Sequence, residues 1–221
     1  MDGAPGSANT VVRAQEAVRL VTEGETVQPI DPAGAAGLFR RAAEMTSASG
    51  DDSMSAGAYQ REVQAWAAAG DSRRARRAAD LALAAIGGVE DLDMRVALTT
   101  NVATALGSAG FDDIAVGLLT SAYAALMTGP SPDPGTEAAI LLNIAVSETK
   151  LGRASQALER LAATAVIAEG AANTRLLATI RLNEAVRGRR CFAGPRTRDC
   201  SCWARTCGRG PPSTRRAARS C

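Results

Sequence analysis

Three glycines set the limits on what this chain can fold into. Gly70, Gly110 and Gly152 are 40 and 42 residues apart, and each has an alanine five residues later: Ala75, Ala115 and Ala157. A residue seven before each glycine is also small or medium-sized: Val63, Ala103 and Ala145. A helix ends well at glycine, because only glycine enters the left-handed backbone region at little cost. The segments that follow, Gly70-Asp71-Ser72 and Gly110-Phe111-Asp112-Asp113, offer Asp and Ser to cap a new helix. Compact side chains on either side of the turn then fall where two antiparallel helices cross. Bulkier ones would drive the pair apart.

Three in-phase segments follow from this spacing. They run Tyr59, Arg61, Val63, Trp66, Gly70, Ala75, Ala82; then Asn101, Ala103, Leu106, Gly110, Ala115, Leu119, Ala122; then Asn143, Ala145, Gly152, Ala157, Leu161. A fixed period of this length marks a repeat architecture, in which each unit buries its apolar face against the next. Alanine, a good helix former, dominates the apolar residues, and no run alternates Val, Ile, Thr or Tyr as a strand does. The expected class is all-α.

The pattern resembles tetratricopeptide repeats over about residues 55–187. Their helix pairs carry a small residue in the first helix, Gly at the turn, Ala early in the second helix and a small residue one to two turns later. Here those roles fall to Ala103, Gly110, Ala115 and Ala122, and to Ala145, Gly152, Ala157 and Thr164. The usual period is about 34 residues, so the longer one here is similar to the long-helix variants of that family. The resemblance implies antiparallel helix pairs stacked as a short right-handed solenoid. It also implies a concave groove lined by the first helices.

Upstream, Val11, Ala14, Ala17, Val18 and Leu20 form a helical stripe expected to stop at Gly24. Pro29-Ile30-Asp31-Pro32 reads as a loop with a cap, and Ala35, Leu38, Phe39, Ala42 and Ala43 as a second stripe. Ser47 to Ser55 reads as a flexible linker, and the proline-rich 129–135 as an inter-repeat loop that excludes helix. The expected organisation is a disordered 1–9, a helical repeat domain over 10–187, and a Cys- and Arg-rich disordered tail over 188–221.

The tail breaks the pattern. A fourth first helix starts over Arg175–Val186, and Asn183 keeps the register of Asn101 and Asn143, but Phe192 stands where the turn glycine is due. All five cysteines and seven of 24 arginines lie in 191–221, which carries +6, against −4 for 1–190. The abundance of Arg and Ala, with a single Lys, points to a GC-rich coding sequence such as a GC-rich bacterium has. Three readings of the tail stay open: an out-of-frame end to the gene, a genuine disordered tail, or a metal site or basic arm. Against a metal site, the cysteines are spaced 9, 2, 5 and 14 apart, and histidine is absent. An apolar face left open by the broken repeat would favour self-association.

Little in the chain points to chemistry. With no histidine, imidazole acid–base pairs, Ser-His-Asp and Cys-His nucleophiles and imidazole metal ligands are excluded. Neither a phosphate loop nor a dinucleotide fingerprint is present. Glu90, Asp91 and Asp93 read as a capping loop, Arg73, Arg74, Arg76 and Arg77 as a solvated outer face, and Trp66 as core. No enzyme activity, cofactor or metal is expected, nor a small-molecule substrate. The acidic body argues against nucleic acid. A body free of cysteine, with neither a signal-like start nor a long apolar run, fits the cytoplasm and no membrane contact.

What the resemblance implies is a site for proteins or peptides. Asn101, Asn143 and Asn183 hold equivalent positions on three first helices. In the family that position faces the groove, where an amide grips a bound peptide's backbone as donor and acceptor. Arg61 takes the place in the first repeat and could meet a carboxylate; Lys150 is also expected at the groove. Local bonding of these asparagines within the solenoid is the alternative. Two functions are consistent with this: a scaffold binding a peptide or partner helix, or the sensory segment of a larger signalling protein such as a transcriptional regulator or diguanylate cyclase.

Overall fold

A computed structural model describes residues 5–174 and 177–183. The described chain is all-helical, in eight helices followed by helical residues 177–183. They are α1 (Pro5–Val27), α2 (Pro32–Ser47), α3 (Asp52–Ala68), α4 (Ser72–Ile86), α5 (Leu92–Ser108), α6 (Asp112–Leu126), α7 (Pro134–Lys150) and α8 (Ala154–Gly170). Consecutive helices pack on one another, and α3 and α4 both pack on α5. The product is a helical-repeat solenoid. Among the described residues no helix is long and apolar enough to cross a membrane.

The turn glycines do what their spacing requires. Gly70, Gly110 and Gly152 have φ of +74°, +93° and +76°, and the next residue's N–H closes back on the preceding helix: Asp71 to Trp66 O, Phe111 to Leu106 O, Arg153 to Glu148 O. The small residues flanking them, Val63, Ala75, Ala103, Ala115, Ala145 and Ala157, are all fully buried. Ala82, Ala122 and Thr164 are buried as well, and the Thr164 hydroxyl is satisfied by donating to Arg160 O at 2.7 Å. The core follows the repeat. One apolar cluster runs from α1 to α5, a second joins α5, α6 and α7, and a third joins α7, α8 and Ile180.

Several expectations are corrected. Gly24 does not end α1, which runs on to Val27. A Cβ there would stand 2.6 Å from Cε1 of the buried Phe39 ring, so the glycine is a close-packing site. The stretch 47–55 is no flexible linker: Gly50 (φ +75°) and Asp51 make the same tight turn as Gly70 and Asp71, with Asp51 N–H on Thr46 O. Pro134 does not exclude helix; it opens α7 at the first turn, where its missing N–H costs nothing, behind the Asp133 cap. Asp31, Asp51, Asp71, Asp91 and Asp133 each accept a hydrogen bond from a backbone N–H of the following first turn. Asp112 does not, since Phe111 occupies the cap position of α6. The helical residues 5–9 fall within the stretch expected to be disordered. Residues 1–4 and the tail over 188–221, with Phe192 and the cysteines, lie outside the described residues.

Candidate functional site

The first helices of the pairs present one common stripe. On α5, besides Asp93 in the first turn, the exposed positions are Met94, Ala97, Asn101, Thr104 and Ser108, spaced three and four residues apart. A step of 42 residues gives Thr136, Ala139, Asn143, Val146 and Lys150 on α7; a step of 40 back gives Met54, Gly57, Arg61, Gln64 and Ala68 on α3. None of these fifteen residues is buried, whereas most of their neighbours on the same helices are. Met54 and Val146 lean on the core clusters, but a face that repeats in register on three helices and is nowhere buried is a surface the repeat itself builds.

The five residues singled out from the sequence divide on this surface. Asn101 is exposed and Asn143 half-buried. Neither amide bonds to another described residue, so both are available to a partner. Asn183 is different: its Nδ2 donates to Thr179 O at 2.9 Å, one turn back. Arg61 is engaged from α1, donating through Nε to Glu25 at 2.8 Å, and its Nη1 reaches Gly57 O at 3.2 Å. Lys150 Nζ donates to Gly107 O at 2.7 Å and stands 3.3 Å from Asp112 Oδ1. The structure thus sets two free amides on adjacent first helices, flanked by two cations that are tied within the protein.

Beneath the stripe lie two ionic contacts that helical periodicity did not reveal. Glu62, 2% exposed, takes a two-pronged contact from Arg40 of α2 at 2.7 and 2.8 Å and a third hydrogen bond from Trp66 Nε1 at 3.1 Å. The hydrogen bond to Glu62 holds the Arg40 guanidinium more firmly protonated than usual. Glu148 takes the same kind of contact from Arg160 of α8 at 2.9 and 3.2 Å. Each clamps a first helix to a second helix through a buried carboxylate. Trp66 is only partly buried, and Arg74 stacks over its ring at 4.6 Å.

The acidic loop and the arginine group do simple structural work. Asp91 caps α5 through Met94 N–H. Arg76 pairs with Asp80 and Arg74 with Asp71, all substantially exposed. An open depression of about 690 Å³ lies beside this loop, among Asp51, Asp52, Glu90 and Asp91. No group of His, Cys, Asp and Glu among the described residues has the arrangement to hold a metal ion.

Comparison with known proteins adds no family to this description: no family model matches the chain, and no curated protein matches it in sequence.

Proposed function

We propose that the chain is a non-enzymatic scaffold of the tetratricopeptide-repeat kind, whose first-helix stripe holds an extended peptide or partner segment by its backbone. The observation that carries this reading is the pair Asn101 and Asn143. They occupy the same register position on α5 and α7, outside the core, with amides unused by the described protein. An amide bonds both N–H and C=O of an extended chain, and a row of them suits a partner read through its backbone. Small residues one turn away, Ala97 and Ala139, leave room for a backbone to approach.

The test is to pan a random peptide library against the intact chain and measure the affinity of the enriched peptides. Replacing Asn101 and Asn143 together by Ala is expected to weaken them by roughly a hundredfold, taking about 1.4 kcal/mol per lost amide contact, with the melting temperature unchanged. Peptides that bind the double variant as tightly as the parent, or a library from which nothing is enriched, would remove the reading.

A further inference from the structure

Lys150 stands where the end of α7 meets the end of α5 closely, at Gly107. Whereas α3 packs on α5 extensively, α7 packs on α6 and hardly touches α5. The close approach is at their C-terminal ends, at Gly107. A Cβ on that glycine would stand 3.3 Å from Ser147 Oγ of α7, 3.4 Å from Asp112 Oδ1 and 3.5 Å from Ala115 Cβ of α6. Three helices therefore converge on one glycine, and the sole lysine of the chain is fixed there. Its Nζ donates to Gly107 O at 2.7 Å, a carbonyl in the last turn of α5, where the helix end favours a cation. The same ammonium lies 3.3 Å from Asp112 Oδ1, a buried oxygen that accepts no hydrogen bond from any described residue. Lys150 is the charge that compensates it.

We infer that Lys150 is a positioning residue: it latches the end of α7 to the α5–α6 turn and so sets how far α7 swings from α5, hence the spacing between Asn101 and Asn143. Asn143 lies two helical turns, roughly 10 Å, from the latch. Along that length the two helices have few other contacts to hold them, so a change of angle at Gly107 is magnified at the amides. Neutralising the ammonium removes the tie to the carbonyl and strands the Asp112 oxygen, which favours a different angle between the α5–α6 and α7–α8 pairs. The inference rests on the peptide reading only for its functional consequence; the latch itself is a statement about geometry.

The experiment measures that geometry directly. Nitroxides placed through Ala97→Cys and Ala139→Cys, in the full chain with its five native cysteines replaced by Ser, report the α5–α7 spacing by pulsed electron spin resonance. Lys150→Met is expected to shift and broaden the distance distribution, and to speed amide exchange over 107–113 on the order of tenfold. Lys150→Arg keeps a cation within reach of both oxygens and should restore the parent distribution. Asp112→Asn, which preserves shape, should shift it in the same direction and serves if Lys150→Met does not fold. An unchanged distribution in both neutralised variants overturns the latch. A shifted distribution with unchanged affinity for a library-selected peptide supports the latch and removes the peptide reading of the amides.

Discussion

Glu62 is buried in the α2–α3 packing with a charge that Arg40 and Trp66 compensate, and its replacement by Gln tests whether that contact holds the first pair to the rest. The amide keeps the volume of the carboxylate but removes its charge, and it turns an NH2 group toward a guanidinium that can only donate. Two charge-assisted hydrogen bonds, at 2.7 and 2.8 Å, are lost or weakened. Breaking one side of a buried pair costs about 3–5 kcal/mol. Arg40 is 30% exposed, so water recovers part of its solvation and the lower end, about 3 kcal/mol, is expected. For a chain of this length that corresponds to a fall in melting temperature of roughly 6–12 °C. Urea unfolding of Glu62→Gln gives the loss, and Arg40→Met, Glu62→Met and the double variant of these two give the coupling directly. The double variant should recover most of the loss, because apolar residues of similar size leave no buried charge behind. A loss below about 1 kcal/mol for Glu62→Gln, or a double variant no better than the sum of the singles, would refute the clamp.

Two glycines in helices predict opposite signs for one substitution. Gly24→Ala should destabilise by about 1–2 kcal/mol, since displacing the buried Phe39 ring outweighs the gain in helix propensity. Gly37→Ala, with nothing within 4 Å of the added methyl, should stabilise by about 0.5–1 kcal/mol. Thermal melts of the two side by side check this, and a shared sign would show that packing at Gly24 has been misjudged. The tyrosines predict an alkaline limit. Desolvation raises the pKa of Tyr59 and Tyr123 above the ordinary phenol value, and nearby Glu137 adds to it at Tyr123. The neutral phenols thus favour the folded state fully below about pH 10, and their contribution is lost as pH rises through the raised folded values. Tyr59→Phe with Tyr123→Phe should flatten the fall in melting temperature above that pH; an equally steep fall in the double variant would assign it to other groups.

Much of the fold was legible because its signals are local. A turn glycine, a capping Asp and small residues at −7 and +5 act within one helical pair, so spacing alone locates them. Gly50-Asp51 carried the same signal but was hidden among serines and aspartates that read as linker. Gly24 was misread because a stop and a close-packing site look alike until Phe39 is brought across from α2. The buried carboxylates Glu62 and Glu148 were invisible, since a charge on a helix reads as solvated unless its partner is known, and Arg40 and Arg160 sit on other helices. The site divides the same way. The register of Asn101 and Asn143 follows from the repeat, whereas the engagement of Arg61 and Lys150 depends on Glu25 and Gly107, 36 and 43 residues away.

Nearly every helix contact in this chain joins neighbours in sequence or helices one removed. Low contact order of this kind lowers the entropic cost of closing each contact and favours rapid folding. It also means that a newly made pair has its partner already outside the ribosome. α1 and α2 can dock while α3 is being synthesised, and α3 then finds a finished apolar surface in α2. Folding in vivo can thus advance from the N-terminus at the pace of translation, one helix behind the growing end.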